Sequence, residues 1–169
     1  MKTSEALHAR LGLFVITFQQ VEASMVDLIV RIVDEDPEYV QALTAELEFT
    51  AKARAMDVIY TRFAQIHGLT TESPEPTVHK LATRIQKTAV RRNELVHSFY
   101  VHLIKVDASI ALARMPTRLK PSEGRRMQDE EIIGPELLGK EIAEMLEIDR
   151  ELRGLCLSVL QAKQPTPEA

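Results

Sequence analysis

The chain has 169 residues, of which 45% are apolar, 27% charged and 5% aromatic, and its formal net charge is −4. These fractions resemble those of globular domains and argue against a disordered or fibrous chain. The length predicts a single domain over residues 1–163, followed by a frayed tail over residues 164–169. The lone Cys156 cannot form an internal disulfide, which favours the cytoplasm. The apolar run Leu11–Phe18 is too short to cross a membrane, so no membrane contact or export signal is expected.

The charges are strongly segregated along the chain. Residues 1–76 carry 6 basic and 12 acidic side chains, residues 77–126 carry 11 and 3, and residues 127–169 carry 4 and 10. The middle segment therefore has a net charge of +8 between two acidic flanks. This asymmetry indicates an interaction surface for an anionic partner. The alternative is that the basic middle pairs with the acidic flanks inside one fold.

Hydrophobic periodicity predicts three helices in the first two thirds of the chain. Apolar residues recur at spacings of three and four from Leu7 to Ile32, which indicates a long first helix. A second helix is expected from about Pro37 to His67, with Gly68 as its stop. Residues 69–77 have the composition of a loop, and a third helix is expected from about Thr77 to His97.

The period of the pattern changes after the third helix. Phe99–Ile104 and the segment from Ile110 to Arg114 predict a β-hairpin with its turn at Asp107-Ala108. Residues 116–135 contain three prolines and two glycines and are expected to form a surface loop, and a last helix begins near Pro135. The predicted fold class is mainly α, an up-and-down bundle of four main helices with a short β-hairpin inserted before the last helix.

The common catalytic and metal-binding signatures are missing from the sequence. It contains no glycine-rich phosphate loop, no nucleophile-serine motif, no paired cysteines and no His-Glu-x-x-His. The five histidines do not cluster with carboxylates at the spacings of metal ligands. Neither a metal nor another cofactor is expected.

The third helix carries a basic stripe. At about 100° per residue, Lys80, Arg84, Lys87 and Arg91 fall within one narrow arc, and no acidic residue interrupts it. Such a stripe suits a phosphate backbone. The alternative is a solvated face, or one that acidic residues of the last helix neutralise.

The next residue, Arg92, falls on the apolar side of the same helix. A guanidinium there must be paired or must lie at an interface, and Glu22 on the first helix is the expected partner. Asn93 and His97 flank this side four residues apart. The sequence therefore predicts that Arg, Asn and His side chains converge at the end of the helix, where the helix dipole favours a protonated imidazole.

The run Arg92-Asn93-Glu94-Leu95-Val96-His97 resembles the Arg-x(4–6)-His motif of the HEPN superfamily, in which a polar residue, often Asn, follows the arginine. The opening helix with Phe14, Phe18 and Glu22, the second long helix and the final helix after a hairpin agree with that family. The spacing alone is unspecific, because Arg62 and His67 satisfy it as well. The Arg-Asn doublet, the basic context and the place on the third helix favour the second match. Arg91 remains an alternative to Arg92 as the functional arginine.

The resemblance implies a metal-independent endoribonuclease, a toxin or phage-defence component that acts in the cytoplasm as a homodimer. Arg92, Asn93 and His97 would be its catalytic residues, and an antitoxin or another partner protein is a further expectation. RNA would be held by the stripe and by basic residues after the hairpin, which are Arg118, Lys120, Arg125 and Arg126. The alternative function is a non-catalytic HEPN-like helical dimer that binds or scaffolds a partner protein or a nucleotide.

Overall fold

The computed structural model describes residues 2–69, 77–104, 110–115, 119–120, 122, 124–126 and 130–164. The helices are α1 (Lys2–Val33), α2 (Pro37–Ala45), α3 (Phe49–Ile66), α4 (Thr77–Val96) and α5 (Pro135–Ala162). The strands are β1 (Phe99–Ile104), β2 (Ile110–Met115), β3 (Leu119–Lys120), β4 (Arg125–Arg126) and β5 (Glu131–Ile133). The predicted class is confirmed, since the protein is mainly helical and has an antiparallel hairpin before its last helix.

The chain divides into two compact units. One consists of the described residues of Met1–Thr17 and Val90–Glu144, and the other of those of Phe18–Ala89 and Met145–Ala169. Helices α1, α4 and α5 each contribute residues to both units. All strands belong to the first unit, whereas α2 and α3 belong to the second. The single domain over residues 1–163 stays a prediction.

Helix α1 follows the apolar stripe that its sequence predicts. The buried members of the stripe are Leu7, Phe14, Phe18, Val21, Met25 and Leu28. Leu11 and Ile32 are half-buried. The helix ends where Asp34 adopts a φ of 60°, a left-handed conformation that stops a helix and that Asp tolerates better than most residues.

By length and composition, α1 could also cross a membrane. Its segment Glu5–Val33 contains an 18-residue window with a mean hydropathy of 1.5. This helix is longer than the apolar run Leu11–Phe18 on which the expectation of no membrane contact rests, and that expectation stays a prediction. About 39% of that window is buried inside the protein. The core helix of a soluble protein and an N-terminal signal sequence meet the same criteria of length and hydropathy.

The second predicted helix is two helices, α2 and α3, so the expected continuous helix is wrong at residues 46–48. Asp36 caps α2 by accepting the backbone N–H of Glu38 at 3.0 Å, and α2 stops after Ala45. Helix α3 begins at Phe49, whose ring stacks on Phe18 with centroids 4.1 Å apart. Neither a glycine nor a proline marks the break. A tertiary contact, rather than a local breaker, accompanies the new start.

Some apolar residues of α2 and α3 are exposed. Leu43 and Val58 are 77% and 68% exposed. Met56 and even Lys52 are buried instead, and the Lys52 ammonium donates to Glu22 at 2.5 Å. The predicted stop at Gly68 is confirmed, because this residue has a φ of 66° at the end of α3.

The β-hairpin is confirmed with a regular register. Strands β1 and β2 pair antiparallel from Phe99 opposite Met115 to Ile104 opposite Ile110, and the predicted turn at Asp107-Ala108 lies outside the described residues. The continuous loop expected over residues 116–135 is wrong, because β3 pairs with β4 and β5 pairs with β2. Strand β5 has only three residues, too few to show an alternating pattern. Its Glu131 lies directly opposite Arg114 of β2.

Candidate functional site at the end of helix α4

The three residues of the motif occupy the last turn of α4 and the position after it. Arg92 is half-buried, and its Nη1 atom donates to Oδ1 of Asn93 at 3.1 Å. Asn93 and His97 are exposed, and the backbone N–H of His97 donates to the carbonyl of Asn93 at 3.1 Å. The imidazole therefore follows directly on the last helical turn. The Asn93 amide is exposed in contact with the Arg92 guanidinium, and the exposed His97 imidazole belongs to the residue that follows the helix.

Arg92 lies on the side of α4 that carries buried apolar residues, as its angular position predicts. Ala89 and Leu95 are buried on this face. Val96, which the sequence places on the same apolar side, is 39% exposed. Glu22, the expected partner of Arg92, belongs to the other compact unit and accepts a hydrogen bond from Lys52.

Arg91 has a different environment from that of Arg92. Its side chain is only 16% exposed and forms ion pairs with three carboxylates. The shortest joins Nη2 to Glu131 at 2.6 Å, and the others reach Glu141 at 3.0 Å and Glu94 at 3.3 Å. A guanidinium saturated in this way holds the fold together. The choice of Arg92 over Arg91 as the functional arginine stays a prediction.

Glu131 joins Arg91 to a second arginine. Its Oε2 atom accepts from Nε of Arg114 at 2.7 Å, while both of its oxygens accept from Arg91. The Arg114 side chain, on strand β2, is only 11% exposed, so this residue is poorly accessible to a ligand such as RNA. The cluster links α4, β2, β5 and, through Glu141, α5.

The electrostatics of the cluster favour the charged forms of Glu131 and Arg91. The hydrogen bond from Arg91 holds the pKa of Glu131 below its usual value, and Arg114 adds to this effect. The same bond raises the pKa of Arg91 above its ordinary range. Burial raises the pKa of the nearby Tyr100 phenol. Tyr100 is therefore a neutral hydrogen-bond donor at neutral pH.

The basic stripe is partly neutralised, as the alternative interpretation of the sequence holds. Arg84 pairs with Glu151 at 2.5 Å and with Glu147 at 3.6 Å, and both carboxylates belong to α5. With Arg91 also paired, the four cations of the stripe carry less free positive charge than the sequence suggests. Lys80 and Lys87 are exposed on α4.

The remaining predicted RNA-binding residues belong to the segment after the hairpin. Arg118 lies outside the described residues. Lys120 is in β3 and faces Arg125 of β4 in the register, while Arg126 faces Leu119. The short ribbon therefore brings three basic positions close together along the backbone.

The competing motif, Arg62 to His67, lies at the end of α3 in the other compact unit. Both residues are exposed, and the His67 ring packs against Phe63 with centroids 4.2 Å apart. No asparagine follows this arginine, since the next residue is Phe63. The site offers a useful comparison with the Arg92 motif because the spacing is identical.

The sequence gives little indication of two groups that the structure brings together. Glu131 lies 40 residues from Arg91 and 17 from Arg114, so no helical or local spacing relates them. Asp57 and His79 also pair, with Nδ1 of the imidazole 2.5 Å from a carboxylate oxygen. The excess of acidic residues after Met127 was the only signal that pointed to partners for the basic stripe.

Among the described residues, no group of three or more histidine, cysteine, aspartate or glutamate side chains could hold a metal ion. No protein-family model, no curated protein and no solved structure matches the chain. A function can therefore be proposed only from the geometry of the residues at the end of α4.

Replacing Glu131 by Gln tests the electrostatics of the cluster. We expect E131Q to lower the free energy of unfolding by about 2 kcal/mol at neutral pH, because two poorly exposed arginines lose their shared carboxylate. The folded pKa lies below the usual value of 4.5, so the carboxylate contributes fully above pH 4.5 and its contribution is lost as the pH falls through the folded pKa.

Urea unfolding over a pH series gives the measurement. The exposed neighbour Glu130 supplies the matched control E130Q, for which the change should stay within about 0.5 kcal/mol. A difference between E131Q and the wild type that persists unchanged well below pH 4 would contradict this assignment.

Proposed function

We propose that the protein is a HEPN-like, metal-independent endoribonuclease of the cytoplasm, acting as a homodimer in a toxin–antitoxin or phage-defence role. The observation that carries the proposal is the arrangement of Arg92, Asn93 and His97. Arg92 contacts Asn93 at 3.1 Å, and the exposed His97 follows on the same helical end. The saturated Arg91 supports the choice of Arg92 as the functional arginine.

These side chains suit cleavage of RNA by its own 2′-hydroxyl. The 2′-oxygen attacks the adjacent phosphorus, the bond from phosphorus to the 5′-oxygen breaks, and the products are a 2′,3′-cyclic phosphate and a 5′-hydroxyl. One imidazole accepts the proton of the 2′-hydroxyl and another donates a proton to the leaving 5′-oxygen. Arg92 stabilises the charge on the phosphoryl oxygens through its planar fork of donors. Asn93 orients the guanidinium by accepting its hydrogen bond.

Two imidazoles require two copies of the chain. Each copy offers one His97, so a symmetric dimer in which both motifs face one cleft would hold a base and an acid together. Contacts to the RNA backbone are proposed for the exposed Lys80 and Lys87 in one compact unit and, separately, for the basic positions of the β3–β4 ribbon in the other. An antitoxin or other partner protein would act by blocking this cleft.

A second candidate function is a non-catalytic HEPN-like dimer that binds a partner protein or a nucleotide. The pairing of Arg84 and Arg91 with carboxylates favours it, because two of the four cations in the stripe serve the fold. In this case His97 would follow the helix end without taking part in proton transfer.

Substituting His97 by Ala separates the two functions. We expect H97A to cleave mixed RNA about 10²–10⁴ times more slowly than the wild type in the presence of a chelator, because it loses its general acid and base. The matched control is H67A, from the motif of identical spacing on α3, and it should keep the wild-type rate. End-group analysis of the products should find 2′,3′-cyclic phosphates.

Two results would favour the binding module instead. In the first, H97A and the wild type cleave RNA at the same rate. In the second, neither protein cleaves RNA, whether or not its production arrests the growth of cells.

The mass in solution tests the composite site. Light scattering during size-exclusion chromatography should give about twice the chain mass of 19.1 kDa. A single-chain mass at every concentration from micromolar upwards would exclude a site built from two copies.

A further inference from the structure

The last turn of α4 is held by side chains of Ser98 and of the hairpin that follows it. The carbonyl of Glu94 accepts hydrogen bonds from Oγ of Ser98 at 2.5 Å and from Nη1 of Arg114 at 3.3 Å. The carbonyl of Leu95 accepts from the Tyr100 hydroxyl. The carbonyl groups in the last turn of a helix have no N–H partner within the helix, so each of these hydrogen bonds satisfies an otherwise unpaired acceptor. Together they fix the backbone on both sides of His97.

Arg114 is the residue through which this fixation depends on the rest of the unit. Its Nη1 atom also donates to Oγ of Ser98 at 3.2 Å, so one guanidinium contacts the residues before and after His97. Its Nε atom is held by Glu131, which Arg91 holds from the preceding turn of α4. The contacts form a closed path from Arg91 through Glu131 and Arg114 back to the end of the helix.

We propose that Arg114 is a positioning residue for His97 and that the Tyr100 hydroxyl assists it, an inference that rests on the proposed function. Arg114 is 11% exposed, so its action runs through the backbone of Glu94–Ser98 and not through RNA. A cation at this end also complements the negative end of the helix dipole. Displacement of a catalytic group by about 1 Å lowers a rate by about 10²-fold. Loss of the hydrogen bonds from Arg114 should therefore lower the turnover rate and leave the RNA affinity unchanged.

The test compares R114M with R153M, and adds R114K and Y100F. Arg153 is 68% exposed and pairs with Asp149 four residues away in the same helix, so it is a matched arginine outside the site. Each folded variant is measured in three ways. These are the single-turnover rate at saturating RNA, the RNA dissociation constant, and the NMR signals of the His97 ring with the amide exchange rates of residues 94–98.

We expect R114M to lower the single-turnover rate by 10- to 100-fold with an RNA dissociation constant within twofold of the wild type. The His97 ring signals should shift, and the amides of residues 94–98 should exchange at least tenfold faster. R114K keeps the positive charge but lacks the planar fork of donors that joins Glu131 to the carbonyl, so it should recover part of the rate. R153M should match the wild type in all three measurements. If R114M does not fold, Y100F removes a single hydrogen bond and should show the same changes at smaller size.

Each contrary result is distinct. Unchanged His97 signals and amide exchange in R114M and Y100F would overturn the positioning role, whatever the rates. An equal loss of rate and RNA affinity would also overturn it, since Arg114 would then contact RNA. A wild-type protein that does not cleave RNA would overturn the proposed function, and the NMR and exchange comparison would still decide whether Arg114 fixes His97.

Discussion

Glu131 lies between two arginines, and the end of α4 depends on this carboxylate. Arg91 and Arg114 are 16% and 11% exposed, and a poorly solvated guanidinium is costly unless it is paired. Each of the two donates to Glu131, at 2.6 and 2.7 Å. Arg114 of β2 and Glu131 of β5 lie directly opposite each other, so their ion pair stabilises the register of the three-residue strand β5. The same contacts place Arg114 against the carbonyl of Glu94, next to the candidate catalytic histidine.

The charge of the chain has two uses. A net charge of +8 over residues 77–126 suggests a surface for a polyanion, but part of it balances the acidic residues of α5 and β5. Arg84 is paired with Glu151, and Arg91 is surrounded by three carboxylates. Exposed ion pairs contribute little stability, yet these are partly buried and hold helix to helix or helix to sheet. Lys80 and Lys87 of one compact unit, and the β3–β4 ribbon of the other, each stay predicted RNA contacts.

Much of the fold could be predicted from the sequence because its helices are long and strongly periodic. The stripe of α1, the start of α5 at Pro135 and the stop at Gly68 follow from local spacing and backbone preference. The break between α2 and α3 could not be predicted, since neither glycine nor proline marks it and the stacking of Phe49 on Phe18 is a tertiary contact. Strand β5 could not be predicted either, because three residues are too few to show an alternating hydrophobic pattern.

The candidate site was predictable only in part. The order of Arg92, Asn93 and His97 on one helix indicates their proximity, and the Arg92–Asn93 contact agrees with it. The distinction between Arg91 and Arg92 could not be made from the sequence, because it depends on Glu131 and Glu141, which are 40 and 50 residues away. The role of Arg114 was hidden as well. The sequence predicts Arg114 only as the end of a hairpin strand, whereas its partner Glu131 lies opposite it on another strand.

A double-mutant cycle on Arg114 and Glu131 tests most directly whether this pair holds the end of α4. Urea unfolding at neutral pH of the wild type, R114M, E131Q and the double variant gives the coupling free energy. A coupling of at least about 1 kcal/mol is predicted, with the double variant less destabilised than the sum of the single ones. Additivity within about 0.3 kcal/mol would contradict the central place given to this ion pair.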